Sequence, residues 1–273
     1  MEPASFHHSG IPRACITPLV MTQPGLEAYP GVASGTGFFA RRAREVFLFT
    51  AMHCLESPHP TTSYLTTSKQ LTIPFRLKGH TRRSHDYVLF DFATRLAEDA
   101  TLKTFVDVVA LHVRPERESN HKQLLSRAAK LPPNGLWLNR FANLDQVQVA
   151  MDAGERITFV VIGYPNEGTT TGVEYDDASV TPPEVNVQPA QFTGNLRRSV
   201  LDHCLLLQDS SWPHKHSGFS GSPVFVQWNS EHGNLSALAG LVVCGAHDRL
   251  HFIDVATLVR ATERESVQVC SDA

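Results

Sequence analysis

Gly218-Phe219-Ser220-Gly221-Ser222-Pro223 sets a serine in a turn, with glycines two positions before it and one after. Such a segment bends tightly enough to expose the Ser220 hydroxyl. It also leaves backbone N–H groups of the turn free to face an oxyanion. A serine hydroxyl is a weak nucleophile at neutral pH and needs an adjacent base. Far upstream, the β-type run Phe47-Leu48-Phe49-Thr50-Ala51-Met52 ends on His53-Cys54, which presents an imidazole at a domain edge. Between the two, Asp107 opens the apolar run Val108-Val109-Ala110-Leu111. Asp86 and Asp91 are its rivals, but Asp91 precedes Phe-Ala-Thr and lacks the apolar run expected of a buried carboxylate at a strand start. Taken singly, a Gly-x-Ser-Gly in a β-rich chain is an ordinary turn, and with fourteen histidines a lone imidazole says little. The three segments together, in the order His, Asp, Ser, are the parts of an activated serine.

The same segments resemble those of trypsin-like serine peptidases. Thr50-Ala51-Met52-His53-Cys54 is similar to the family's T-A-A-H-C, Asp107 to Leu111 to its D-I-A-L-L, and Gly218 to Pro223 to its G-D-S-G-G-P with two substitutions. Gly-Ser-Pro after Ser220 resembles the bacterial glutamyl-endopeptidase and HtrA-type branches more than digestive trypsins. Ser34-Gly35-Thr36-Gly37-Phe38-Phe39 is similar to the S-G-S-G-F that opens those bacterial domains. The resemblance runs from about Gly31 to about Val259. It implies an all-β, chymotrypsin-like fold, two six-stranded antiparallel β-barrels sharing a cleft. It further implies a His53, Asp107, Ser220 triad, with the amides of Gly218 and Ser220 as oxyanion hole. The implied activity is that of a serine endopeptidase that works through an acyl-enzyme without a cofactor.

One departure is informative. Phe219 stands where digestive proteases carry an aspartate that pairs with the new N-terminus after zymogen cleavage. Phenylalanine makes no such ion pair, so activation by N-terminal insertion is excluded and the loop has to be ordered by packing, by substrate or by a partner. By the same resemblance the S1 walls come from about His214 to Ser217, from Val243-Cys244-Gly245, and from about Leu250 to Phe252. No acidic residue stands at the pocket base near His214, which argues against an Arg/Lys preference. His214, His216 and His251 suit an acidic or amide side chain, although Val242 occupies the position that carries the histidine of glutamyl-specific relatives. A small or apolar P1 residue fits the same walls. His214-Lys215-His216 lacks nearby Cys or carboxylate ligands at metal spacing, so no metal is expected.

Composition sets wider bounds. With 42% hydrophobic and 19% charged residues in 273, the chain has apolar material for real cores. A net charge of −3 gives no reason to expect nucleic acid or an anionic membrane. No apolar run approaches the roughly 20 residues of a membrane helix. Met1 to His8 shows neither a basic nor an apolar signal region. The five cysteines, Cys15, Cys54, Cys204, Cys244 and Cys270, do not suggest a disulfide framework. In secreted relatives the cysteine after the histidine pairs with one on the preceding strand, and here Ser34 to Phe39 holds none. Cys54 is therefore expected to be a reduced, buried small hydrophobe, and the chain cytoplasmic.

Short β-type runs punctuated by Gly, Pro and Asn fill most of the chain. The pattern suits barrels or a sandwich; with the two barrels that the resemblance implies, the chain divides into an N-terminal segment (1–30), a first barrel carrying His53 and Asp107 (31–120), a connection (121–146), and a second barrel carrying Ser220 with a short closing helix (147–273). Phe38 to Ala40 and Val46 to Thr50 read as a hairpin, Asn120 to Lys130 as a short helix, and Asn166 to Val185 as a surface loop. Asp254 is placed to cap the closing helix, with Val255, Leu258 and Val259 facing the barrel. The expected partner is a protein or peptide substrate, with a regulatory protein left open. The alternative is a non-catalytic binding module on the same fold, which an intact triad argues against.

Overall fold

The computed structural model describes residues 10–21, 31–55, 71–75, 86–89, 91–99, 104–114, 118–132, 144–165, 189–209, 217–230 and 233–263. Two antiparallel sheets follow one another along the chain. The first is built from β1 (Ile16–Met21), β2 (Gly31–Arg42), β3 (Glu45–Thr50), β4 (Leu71–Phe75), β5 (Asp86–Leu89), β6 (Asp91–Asp99) and β7 (Thr104–Arg114), in the order β5-β4-β1-β2-β3-β7-β6. The two-residue β8 (Ala129–Lys130) joins β2 in parallel. β5 and β6 lie at opposite ends of that order, yet only residue 90 separates them in the chain. β1 lies within the first 30 residues, so the first sheet begins before Gly31, where the sequence reading starts it.

The centre of this sheet is the hairpin β2–β3, turned through Ala43-Arg44 with Ala43 at φ 52°. Phe38 faces Phe49 across the strands and their rings stack at 5.6 Å. Such cross-strand aromatic pairs add to the area that they bury. In β3 every residue from Val46 to Thr50 is buried, because the strand is covered on both faces. Helix α1 (Glu118–Arg127) packs on β2 and β3 and buries Leu124.

The second sheet is a closed barrel in the order β10-β11-β14-β13-β12-β9. Its strands are β9 (Ile157–Gly163), β10 (Ala190–Arg198), β11 (Cys204–Gln208), β12 (Pro223–Ser230), β13 (Gly233–Ala246) and β14 (Arg249–Asp254). This barrel begins at Ile157 rather than near Val147. Leu144–Asp152 forms helix α2, which buries Val147 and Ala150 one turn apart and leaves Val149 exposed. Spacing of three is helical, and a strand would have put both residues on opposite faces. The register of β13 on β14 shifts between Val242 and Cys244, so Val243 sits at a bulge.

The chain closes with α3 (Val255–Glu263). Asp254 Oδ1 accepts from the Ala256 N–H at 2.7 Å, an N-cap. Val255, Leu258 and Val259 are buried, and the helix packs on β6 and β7 of the first sheet as well as on β13 and β14. The sheets also meet where β1 and β2 touch β9 and where β7 touches β13. The expected surface loop Asn166 to Val185 lies outside the described residues.

Candidate active site

His53 sits in a single 3-10 turn, Met52–Leu55, directly after β3, and Asp107 lies on β7, the strand paired with β3. Strand pairing alone therefore brings the two together. One Asp107 oxygen accepts the His53 backbone N–H at 3.1 Å, while the other lies 2.6 Å from Nδ1 of the ring. The carboxylate grips both the backbone and the imidazole, which fixes the ring plane and leaves Nε2 as the nitrogen open to proton exchange. The hydrogen bond to Asp107, helped by one to the Cys54 sulfur, pushes His53 up to about 10 against the opposing pull of burial. Asp107 is thus the carboxylate that meets His53, in preference to Asp86 at the start of β5 or Asp91 at the start of β6.

Ser220 occupies the loop just before β12. The loop is a one-turn bend in which the Ser222 N–H reaches the Phe219 carbonyl at 2.9 Å, and Gly218 (φ 95°) and Gly221 (φ 84°) supply its left-handed residues. At Gly221 a side chain is excluded twice over, since a Cβ would run into the Thr36 carbonyl. The Gly221 N–H is fixed to the Val242 carbonyl at 2.7 Å, and the Val242 N–H to the Ser222 carbonyl at 2.9 Å. The N–H groups of Gly218 and Ser220 donate to nothing among the described residues. Phe219 is fully buried against Gly163. Burial of Phe219 and the backbone bonds to Val242 both hold the loop in this conformation.

The first sheet reaches into this loop through Thr36. Its N–H donates to the Ser220 carbonyl at 2.9 Å and its hydroxyl to the Gly218 carbonyl at 2.8 Å. The Thr50 hydroxyl donates to the Thr36 carbonyl at 2.9 Å. The Cys54 thiol, buried as expected, lies 3.6 Å from the Ser220 carbonyl. These bonds bring His53 and Ser220 to one place from opposite sheets. The Ser220 hydroxyl itself donates to the carbonyl of Val243, at the β13 bulge, at 3.2 Å. No hydrogen bond joins it to the His53 ring among the described residues.

The specificity candidates divide. Val243 is buried on β13, Cys244 and Gly245 are exposed beside it, and His251 is half-buried on β14 opposite Cys244. The His251 Nδ1 is 2.9 Å from the Ser199 hydroxyl, and burial, followed by the charge of Arg249, lowers its pKa. A neutral, engaged ring is a poor partner for an acidic side chain. His214 and His216 lie outside the described residues, as does Cys270. Burial raises the pKa of Cys204 to about 11 and raises that of Cys244 as well, so neither is a thiolate nucleophile at neutral pH. Thr36 and the backbone of Tyr164 are the site residues that the sequence reading did not single out. The signal for Thr36 was present in Ser34 to Phe39, but read only as an opening motif.

No family model and no curated protein matches this chain. Among solved structures, human heparin binding protein is similar over 93% of this chain and 92% of its own, with a TM-score of 0.50 at 12% identity. The fold is chymotrypsin-like. The scabies mite inactivated protease paralogue S-D1 is similar over 92% of this chain and 91% of its own, with a TM-score of 0.45 at 9% identity. Likeness at these identities is one of fold, and a fold serves catalysis or binding alike.

Proposed function

We propose that this chain is a trypsin-like serine endopeptidase with Ser220 as nucleophile, His53 as general base and Asp107 as its orienting carboxylate. The observation that carries the reading is the double grip of Asp107 on His53, beside a serine loop whose Gly218 and Ser220 amides donate to nothing among the described residues. In the reaction the Ser220 hydroxyl swings from Val243 to His53 Nε2 and its oxygen attacks the scissile carbonyl as the proton passes to the ring. The carbonyl oxygen becomes an oxyanion held by the two amides. Collapse breaks the C–N bond, the imidazolium protonates the leaving amine, and an ester on Ser220 remains. A water, deprotonated by the same ring, attacks that ester, releases the acid and restores the serine.

The finer reading is a member of the bacterial HtrA or glutamyl-endopeptidase kind, on the strength of Gly221-Ser222-Pro223 and Ser34 to Phe39. It acts on protein or peptide substrates in the cytoplasm and uses no cofactor. The second reading, a binding module, is favoured by one observation: the Ser220 hydroxyl is engaged by Val243 rather than by His53. A fluorophosphonate probe separates the two. Wild type is expected to label covalently, and Ser220→Ala or His53→Ala to lose labelling by several orders of magnitude while keeping the fold. Labelling that survives Ser220→Ala at full strength refutes the assignment.

A further inference from the structure

Thr36 binds the serine loop at two of its carbonyls and is itself oriented by a third segment. The Tyr164 N–H, at the end of β9, donates to the Thr36 hydroxyl oxygen at 2.9 Å. That oxygen then donates its own hydrogen to the Gly218 carbonyl at 2.8 Å. The direction of the chain is set, because an N–H can only donate and a carbonyl can only accept. Two residues on, the Thr36 N–H holds the Ser220 carbonyl at 2.9 Å. The peptides after Gly218 and after Ser220 thus have their carbonyls drawn toward β2. The N–H groups of Gly218 and Ser220, on the alternate peptides, donate to nothing among the described residues. Gly218 at φ 95° has no Cβ to restrict it, so its own conformational preference does not hold this arrangement. Thr36 is fully buried, and Gly163 keeps the space around its hydroxyl open, since a Cβ there would lie 3.1 Å from that oxygen.

We propose that the Thr36 hydroxyl is a positioning residue for the oxyanion hole, and that the relay Tyr164 N–H to Thr36 to Gly218 holds the hole open before substrate arrives. The inference rests on the proposed serine chemistry for its catalytic consequence but not for its structural one. Thr36 touches no reacting atom; it acts through the Gly218 peptide.

Thr36→Val removes the hydroxyl at nearly constant shape, and Thr36→Ser restores it. With a cleaved peptide ester, Thr36→Val is expected to lower kcat roughly 10- to 100-fold, less than the roughly 100- to 1,000-fold loss that follows outright removal of one oxyanion donor. KM is expected to change little, and a peptide aldehyde, which mimics the tetrahedral state, to lose affinity in parallel. Thr36→Ser is expected to recover most of both. A residue that only stabilised the fold would move melting temperature without moving the ratio of aldehyde to substrate affinity. Hydrogen exchange supplies a readout independent of catalysis: the Gly221 and Ser222 amides are expected to exchange faster in Thr36→Val than in wild type or Thr36→Ser. Equal exchange and an equal kcat in all three overturn the inference. If exchange responds while wild type never labels at Ser220, the relay stands as structure and the peptidase reading falls.

Discussion

Both oxygens of Asp107 are engaged by His53, one on the backbone and one on the ring, and this has a consequence for pH. The proposed base must be neutral to accept the serine proton, yet the pair pushes His53 up to about 10. The rate kcat/KM is therefore expected to keep rising through the alkaline range instead of levelling just above the ordinary histidine value of about 6.5. Asp107→Asn removes the largest cause of the shift. Its profile is expected to level at lower pH, with turnover reduced about 10⁴-fold by loss of the oriented tautomer. A wild-type profile already flat at pH 7 contradicts the pairing. The sign for stability is opposite to that for activity. The folded value lies above the unfolded one, so the pair's contribution is full below about 6.5 and is lost as pH climbs toward 10. At this scale the approach of Asp107 to His53 was legible, because each lies in a short contiguous motif on one of two paired strands. Thr36 was not, since its partners Gly218, Ser220 and Tyr164 are remote in the chain and all three contacts are to their backbone, which leaves no mark on the partner's residue type.

Elements show the same contrast. β3, β7, β9 and β12 are dense in β-branched and aromatic residues and were readable as runs. β10 was not, because only Phe192 and Leu196 of its residues are buried and they stand four apart, a spacing that does not announce alternation. β1 carries Pro18 within a short strand, which masks it further. Between β2 and the His53 turn, Gly35 lies where a Cβ would sit 3.0 Å from the Cys54 Cβ and 2.6 Å from its sulfur. The glycine makes room for the thiol that reaches the Ser220 carbonyl. Gly35→Cys is accordingly expected to form a disulfide with Cys54 after the strand and turn part by about half an ångström or more, since bridged Cβ atoms stand about 3.5–4.5 Å apart. The oxidised variant is expected to gain about 3 kcal/mol over its reduced form. Denaturant unfolding with and without reductant, alongside a thiol count, checks this. A thiol count that is unchanged on oxidation shows that the strand and the turn do not approach as described.

Across the whole molecule, neither sheet holds a complete site. His53 and Asp107 come from the first and Ser220 with Gly218 from the second, so the arrangement depends on how the two are held together. Besides the Thr36 bonds, α3 contributes by packing on β6 and β7 as well as on β13 and β14. Leu258→Asp buries an unpaired carboxylate in that seam and is expected to destabilise the fold by about 3 kcal/mol or more. Serine-probe labelling is expected to fall with the folded fraction measured by circular dichroism. A variant that unfolds early yet labels fully would show that the site assembles without the helix. The capped helix itself was legible from Asp254 and its apolar spacing, whereas its contact with the first sheet was not, because amphipathic periodicity says that a face is buried but not against what.

The burial of Phe219 bears on timing. A loop shaped by a side chain already present in the nascent polypeptide takes that shape as the chain folds, so on the proposed serine chemistry no later cut is needed to set it.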